Sequence, residues 1–181
     1  MVAVAARLNR AERLGDRILK VDHAGEHGAV NIYRAQIAMC RWRAPNLVRG
    51  LENNLHHEER HRTIFAQALS ERAVRRCRSY HLCGFGGYAL GLITGVMGHS
   101  AVAATTVAVE DVVLRHLHAQ LDSLHNSDEA AWRTIHSIVE DEQAHRDGAA
   151  NQLSADTIWP RVLKPLVGVT TEMVIWLGMH L

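Results

Sequence analysis

Proline and phenylalanine are scarce in this sequence, which has three prolines and two phenylalanines among its 181 residues. Proline interrupts helices, whereas alanine, leucine, arginine and glutamate, which are abundant here, favour them. The composition therefore favours a helical protein. The length suits one domain with a sizeable core, and we expect residues 1–181 to form a single domain.

Cysteine is also infrequent, and the charge is nearly balanced. The three cysteines include no Cys-x-x-Cys pair, which argues against a disulfide framework or a zinc ribbon and favours reduced, buried thiols. A formal net charge of +1 with 22% charged residues argues against a nucleic-acid partner. The apolar run before Leu8 is too short for a secretory signal peptide, and we expect neither such a signal nor a transit peptide.

Aspartate, glutamate, lysine and arginine are absent from the 31 residues 79–109, which follow four arginines at positions 72–78. The uncharged segment is long enough to span a bilayer, but it contains six glycines and runs directly into Glu110. Three interpretations are open: a transmembrane span, a buried crossover between helices, and an element at the membrane interface. We favour the third interpretation.

Apolar residues recur at helical spacing through most of the chain. They predict four helices over about 10–40, 47–72, 98–125 and 128–152. A further amphipathic helix is predicted over about 160–181. This C-terminal helix could pack against the other helices, or it could lie on a membrane or a partner protein.

Glu142 and His145 are three positions apart, so on a helix they lie on one face about one turn from each other. A carboxylate and an imidazole at this spacing can chelate a divalent metal. Glu58 and His61 repeat the pattern. A single Glu-x-x-His motif is common on solvated helices, so the pattern needs independent support.

An internal repeat provides that support. Glu110 follows Glu26 by 84 positions, and the second Glu-x-x-His motif follows the first by the same 84 positions. Gln36 and Gln120, each ten positions after one of the single glutamates, repeat the interval again. The sequence therefore predicts one helix pair used twice, in which each pair supplies a glutamate and then a Glu-x-x-His motif.

Four glutamates on inward-facing helix stripes would be costly to bury. Each buried carboxylate costs several kcal/mol or must become neutral through a raised pKa. Two divalent cations would balance the four negative charges. Each cation would then have one histidine, one terminal carboxylate and a share of two bridging carboxylates, with positions left for dioxygen or solvent.

This oxygen-rich ligand set suits iron or manganese better than structural zinc. One glutamate from each of two helices, with Glu-x-x-His from the other two, is the pattern of ferritin-like di-iron or di-manganese bundles. We therefore predict an all-α, ferritin-like four-helix bundle with an additional apolar crossover and a C-terminal helix. The predicted metal ligands are Glu26, Glu58, His61, Glu110, Glu142 and His145.

The residues around the first glutamate allow a finer comparison. The stretch Val21-Asp22-His23-Ala24-Gly25-Glu26-His27-Gly28-Ala29, followed by Tyr33 and Gln36, resembles the first ligand helix of the Coq7 (Clk-1) family of demethoxyubiquinone hydroxylases. The resemblance covers about residues 15–181. It continues through Glu58 to His61, the glycine-rich residues 84–98, Val107 to Asp111, and Asp141 to Asp147.

The resemblance implies a di-iron monooxygenase that hydroxylates the ring of a polyprenylated demethoxyubiquinone or demethoxyubiquinol in ubiquinone biosynthesis. It implies two iron ions on the six residues above, O₂ as co-substrate and NADH as the source of electrons. It also implies peripheral membrane attachment through residues 79–109 and the C-terminal helix. The expected location is the cytoplasmic face of the inner membrane in a bacterium, or the matrix side of the mitochondrial inner membrane in a eukaryote. A second copy of the chain, or another protein of ubiquinone biosynthesis, is a candidate partner.

The third ligand helix departs from the family pattern. Asp111, Arg115 and Leu117 stand where the family usually has glutamate, histidine and tyrosine, and His116 is retained. The predicted ligands are untouched, so the departure affects only any role that this tyrosine has in electron entry. Tyr33, on the face of Glu26, and His116 are candidates for contact with substrate or cofactor. The alternatives are a core tyrosine and a solvated or capping histidine.

Two other functions fit the same helices. A ferritin-like ferroxidase or iron-binding protein would form a soluble cage, which the uncharged segment and the apolar tail argue against. A non-enzymatic, membrane-associated helical scaffold would bind no iron and would carry its glutamates on the surface.

Overall fold

The computed structural model describes residues 4–153 and 157–181, so positions 1–3 and 154–156 of the predicted single domain lie outside it. In the part of the chain that it describes, the protein has seven α-helices, a short 3₁₀ helix at Pro45–Leu47 and no β-strand. The all-α prediction is therefore confirmed. The helices are α1 (Leu14–Arg43), α2 (Val48–Glu71), α3 (Tyr80–Met97), α4 (His99–Leu124), α5 (Glu129–His136), α6 (Val139–Ala150) and α7 (Trp159–His180).

Two antiparallel helix pairs form a four-helix bundle. In the first pair, Arg72 after α2 reaches Asp16 near the start of α1, while Glu52 near the start of α2 lies beside Arg41 near the end of α1. In the second pair, α4 runs against α5 and α6. The main core between the pairs contains Ile18, Leu19, Phe65, Leu117, Leu124, Ile135 and Ile138.

Helix α3 is the crossover that carries the chain from the end of α2 to the start of α4. It runs parallel to α1, since Gly84 lies beside His27 and Gly95 lies beside Gln36. A Cβ atom on Gly87 would lie 2.3 Å from the backbone oxygen of Gly28. Only glycine therefore allows this contact between the two backbones.

The uncharged segment 79–109 is not one continuous membrane span. Gly98, with φ of 91°, separates α3 from α4. The residues from Ala101 to Ala108 that follow are buried in the bundle. The crossover interpretation holds for α3, whose glycine face packs on α1, although the opposite face of α3 is exposed and apolar. That exposed face comprises Leu82, Phe85, Tyr88, Ile93, Val96 and Met97.

Helix α7 lies alongside α4, with Leu163 and Val167 buried between them. Lys164 also bonds to Asp111 of α4, at 3.1 Å. Within residues 4–153 and 157–181, α7 is the one helix long and apolar enough to cross a membrane, and 22% of its most apolar window is buried. One face of α7 therefore packs on the bundle. Its other face exposes Val162, Leu166, Val169, Met173 and Trp176.

The sequence predicted one helix over 128–152, but the chain divides it into α5 and α6. The break has a local cause, since the hydroxyl of Ser137 donates to the backbone oxygen of Thr134 and the N–H of Ile138 bonds to Ile135. The restart gives α6 a new N-terminus. Its first turn contains Glu140, Asp141 and Glu142, where the helix dipole favours negative charge.

The first predicted helix starts later than expected, at Leu14 rather than near residue 10. Ala11 has a positive φ of 67°, which is incompatible with an α-helix. The other predicted helix ends agree with the structure within about three residues. All three cysteines lie in described residues and are buried free thiols, as expected.

Candidate metal centre

The bundle brings all six predicted ligand residues together in its interior. Each side chain comes from one of four helices, namely α1, α2, α4 and α6. All are buried, with the most exposed of them, Glu26, retaining 6% of its accessible surface. The six are Glu26, Glu58, His61, Glu110, Glu142 and His145.

The six residues form two overlapping groups whose ligand atoms lie within 4.8 Å of one another. One group is Glu26, Glu58, His61 and Glu142, and the other is Glu58, Glu110, Glu142 and His145. Glu58 and Glu142 belong to both. Each group thus has one imidazole, one carboxylate of its own and two shared carboxylates, an arrangement that suits two metal ions bridged by two carboxylates.

The Nδ1 atoms of the two histidines point at the carboxylates. His61 Nδ1 lies 2.8 Å from Glu142 Oε1, and His145 Nδ1 lies 3.1 Å from Glu58 Oε1. Although these atoms are close, no hydrogen bond joins them. Ten buried side-chain nitrogen and oxygen atoms of the described residues have no hydrogen-bond partner, and five of them belong to the ligand residues: His61 Nδ1, His145 Nδ1, Glu26 Oε2, Glu58 Oε1 and Glu142 Oε1.

Buried polar atoms are rarely left without a partner in native proteins. The five in this centre belong to the two ligand groups, and nitrogen and carboxylate oxygen are the donor types that iron and manganese accept. The donor set therefore fits a pair of metal ions.

Burial and mutual repulsion shift the pKa values of the carboxyl groups. Burial raises the pKa of Glu26 and Glu110 well above the ordinary value, and their carboxylate neighbours raise it further. Burial also raises the pKa of Glu142, but contacts with His145 and His61 outweigh this and lower it to about 2. The carboxyl groups of the centre therefore differ in how readily they ionise in the metal-free protein.

The two imidazoles shift in the opposite direction. Burial lowers the pKa of His61, but its contacts with Glu142 and Glu26 prevail and raise it to about 11. Burial also lowers the pKa of His145, but its contacts with Glu142 and Glu58 prevail and raise it to about 9. In the metal-free protein the neighbouring carboxylates therefore favour the protonated imidazoles, and a metal that binds there displaces those protons.

The outer nitrogen of each imidazole, Nε2, contacts a residue that is not among the predicted site residues. His61 Nε2 lies 2.9 Å from Asp141 Oδ2, and His145 Nε2 lies 3.1 Å from His57 Nδ1. The two partners directly precede Glu142 and Glu58, and they are 84 positions apart. The repeat interval was thus the signal that could have identified them.

Tyr33 lies beside the centre. Its side chain is buried, and its ring is 6.3 Å from the ring of His145. Its hydroxyl accepts a hydrogen bond from Asn54 at 3.4 Å. Tyr33 therefore adjoins the six residues without being one of the metal-binding groups.

His116 lies elsewhere. Its Nε2 is 2.7 Å from an oxygen of Glu172 on α7, a carboxylate that Arg115 also contacts. Leu117, at the position of the family tyrosine, is buried in the core. His116 therefore joins α4 to α7 and does not line the six-residue centre, and its contact with a substrate or cofactor stays a prediction.

A cavity of about 290 Å³ lies between α2, α4 and α6, beside the centre. His145 forms part of its wall, together with Asn54, Val102 and Thr106. A small molecule in this cavity would therefore lie next to one of the two metal-binding groups.

Comparison with known proteins agrees with this geometry. Residues 13–178 match the family described as ubiquinone biosynthesis protein COQ7. The chain is 35% identical over 164 residues to a 3-demethoxyubiquinol 3-hydroxylase of Rhodospirillum rubrum, covering 90% of this chain and 76% of that protein.

Two mitochondrial relatives are named NADPH-dependent 3-demethoxyubiquinone 3-hydroxylase. The protein of Dictyostelium discoideum is 32% identical over 168 residues, covering 90% of this chain and 76% of that protein. The human protein is 28% identical over 170 residues, covering 92% of this chain and 77% of that protein. On its fold, its buried carboxylate and histidine centre and these matches, the chain belongs to the COQ7 family of ubiquinone biosynthesis proteins.

Proposed function

We propose that this protein hydroxylates the ring of a polyprenylated demethoxyubiquinol in ubiquinone biosynthesis, using O₂ and a centre of two iron ions. The observation that carries the proposal is the pair of buried ligand groups that share Glu58 and Glu142. The names of the relatives supply the substrate class, since they are hydroxylases of demethoxyubiquinol or demethoxyubiquinone.

Each of the six residues would bind at one or both of the two metal positions. Glu58 and Glu142 would bridge the two positions, Glu26 and His61 would complete one, and Glu110 and His145 would complete the other. Four carboxylates balance the charge of two divalent cations, which removes the cost of burying them. When bound, the irons supply the redox chemistry that lets dioxygen react with the ring.

Iron accounts for the reaction class better than zinc does. Zinc has no redox chemistry and prefers four closed nitrogen or sulfur ligands in structural sites. The centre here is rich in oxygen, with one imidazole for each metal, which suits iron or manganese.

The reaction needs two electrons from outside the substrate. One atom of O₂ enters a C–H bond of the ring, and the other leaves as water after taking up two electrons and two protons. NADH is the donor that the family resemblance implies, but several relatives carry NADPH in their names. We propose a reduced nicotinamide as the donor, and both forms should be compared.

The substrate class also explains the two exposed apolar faces. Polyprenyl chains dissolve in bilayers, so an enzyme that acts on them must meet the membrane. Phe85 and Ile93 of α3 and Leu166 and Trp176 of α7 are among the large apolar side chains exposed to solvent. We propose that these faces bind the membrane surface peripherally, on the cytoplasmic side in a bacterium or the matrix side in a mitochondrion.

The arginines before α3 contribute unequally to this surface. Arg75, Arg76 and Arg78 are exposed and could meet anionic headgroups. Arg72 instead donates hydrogen bonds to Asp16 and Asp128 in the partly buried interior. The basic cluster available to a membrane is therefore smaller than the sequence suggested.

The alternatives fit the structure less well. A scaffold without metal would carry the four glutamates of the centre on its surface, whereas all four are buried. A soluble cage would have to cover the apolar faces of α3 and α7 with other copies of the chain. A homo-oligomer or a complex with another protein of the pathway remains an additional proposal, which sedimentation in detergent would test.

The decisive experiment is incubation of iron-loaded, reduced protein with a demethoxyquinol, NADH or NADPH, and ¹⁸O₂. We expect the ring product to contain one ¹⁸O atom. Glu142→Ala, prepared identically, is the matched control and should give no product. Iron-loaded wild-type protein that consumes O₂ without labelling the ring would overturn the proposed hydroxylation and favour a ferroxidase.

A further inference from the structure

We infer that the two metal positions are unequal, and that Asp141 and His57 are the positioning residues that make them so. The inference rests on the two-metal centre of the proposed function. It goes beyond that centre by predicting which position binds metal more tightly, and why.

The two halves of the centre have the same layout up to the imidazoles. Each imidazole presents Nδ1 to the carboxylates and Nε2 outward. The residue that meets the outer nitrogen comes in each case from the helix of the other motif. It also occupies the same place in the repeat, directly before the shared glutamate. The position is thus repeated, but the residue is not.

A metal bound through Nδ1 fixes the proton of a neutral imidazole on Nε2. Each outer nitrogen must then donate a hydrogen bond. Asp141 is a carboxylate and accepts this bond with either oxygen. His57 accepts it at Nδ1 only in the tautomer that carries its own proton on Nε2. His61 is therefore held ready for a metal, whereas His145 depends on the tautomer of a second imidazole.

The two hydrogen bonds also differ in strength. A bond to an ionised acceptor is roughly twice as strong as a neutral one, and a carboxylate behind a histidine ligand makes that ligand more basic. Arg60 contacts the same oxygen of Asp141, so it orients this carboxylate but also shares its charge. His57 instead stacks on His145, with ring centroids 5.3 Å apart. The position that contains Glu26 and His61 should therefore bind a cation more tightly.

The test is an anaerobic titration of metal-free protein with Co(II) alone, followed by its visible absorption. Wild-type protein should take up two equivalents in two resolved steps. Losing the partner of a histidine ligand typically costs about 10- to 100-fold in metal affinity. Asp141→Asn keeps the shape but removes the charge, so it should weaken the first step by about 10-fold or more and leave the second step unchanged.

A second variant tests the inference by gain rather than loss. His57→Asp places a carboxylate at the position that the repeat makes equivalent to Asp141. It should strengthen the second step until the two steps merge. The matched controls are His56→Ala, an exposed histidine next to His57, and Asp147→Asn, an exposed aspartate on α6. Both controls should leave both steps as they are in the wild type.

The outcomes separate this inference from the function on which it rests. Two equivalents bound in a single step, unchanged in Asp141→Asn and His57→Asp, would overturn the inequality and leave the two-metal centre standing. Failure of the folded wild-type protein to bind Co(II) would overturn the centre and the inference together. Loss of both steps in Asp141→Asn, with helical content retained, would contradict the assignment of Asp141 to one position.

Discussion

Two of the buried clusters of charged side chains in the described residues have their charges balanced in different ways. At one end of the bundle, Arg72 bonds to Asp16 at 3.0 Å and to the two oxygens of Asp128 at 2.7 and 2.6 Å. Asp128 also caps α5 by accepting from the N–H of Ala131. This Arg72 cluster satisfies its charges from within the chain.

The metal centre does not satisfy its charges from within the chain. Its four carboxylates face two imidazoles, and five of the buried ligand atoms have no hydrogen-bond partner among the described residues. The pKa values reflect the difference. Arg13 and Arg72 outweigh the effect of burial and lower the pKa of Asp16, whereas burial leaves the pKa of Glu26 well above its ordinary value. The Arg72 cluster thus finds its partners within the chain, whereas the metal centre leaves atoms free for a ligand.

Among the substitutions considered, Glu142→Ala should change the protein most. Glu142 belongs to both ligand groups, so its loss should reduce bound iron from two equivalents to nearly none. Hydroxylation should fall by at least about 10³-fold, which corresponds to about 4 kcal/mol in the barrier. Metal analysis and product formation measure these changes, and circular dichroism should show that the helices persist. A variant that still hydroxylates at the normal rate would refute the assignment of the centre.

The Arg72 cluster should respond in stability rather than in activity. Arg72→Met removes the cation and leaves Asp16 and Asp128 facing each other in a partly buried site, which should cost about 3 kcal/mol. Denaturant unfolding of the metal-free protein measures this loss. Arg133→Met is the matched control, because Arg133 pairs with Glu129 on the exposed surface of α5 and should cost less than about 0.5 kcal/mol. Equal losses in the two variants would contradict the comparison.

Asp22 is an intermediate case between the two clusters. Its Oδ1 accepts from the side-chain amide of Gln120, while its buried Oδ2 has no partner in the described structure. Burial raises the pKa of Asp22 to about 7, and the bond from Gln120 opposes this only in part. The folded protein therefore keeps this proton over a pH range in which the unfolded chain, with an ordinary pKa of 3.8, has lost it.

A carboxyl group with a raised pKa in the folded state stabilises the protein less as the pH rises. Between pH 4 and 7 the contribution of Asp22 to the unfolding free energy should fall by up to about 1.4 kcal/mol per pH unit. Asp22→Asn removes this dependence, so the variant should gain stability relative to wild type across that range. Urea unfolding at several pH values measures the difference. Asp122→Asn, at an exposed position on α4, is the control. The prediction would be contradicted if the difference in unfolding free energy between Asp22→Asn and the wild type did not change with pH.

Local patterns explain how much of this protein could be predicted. A Glu-x-x-His motif places both side chains on one helix face whatever surrounds the helix, and the 84-residue interval joined the two copies. The break at Ser137 escaped prediction, because a serine hydroxyl competing with the helix backbone leaves the apolar pattern on both sides intact. The pairing of His116 with Glu172 could not be predicted either, because it depends on α7 lying beside α4.

Residue type, spacing within a helix and the 84-residue interval are enough to predict the helical class, the repeated pair of helices and the six candidate ligands. Tertiary structure alone decided which ligands share a metal position, that Glu58 and Glu142 stand in both groups, and that His57 and Asp141 lie behind the two imidazoles. The packing of α3 along α1, where glycines of α3 contact the backbone of α1, is likewise a feature of the tertiary structure. These features join residues far apart in the chain, and their distances depend on how the helices pack rather than on any local spacing.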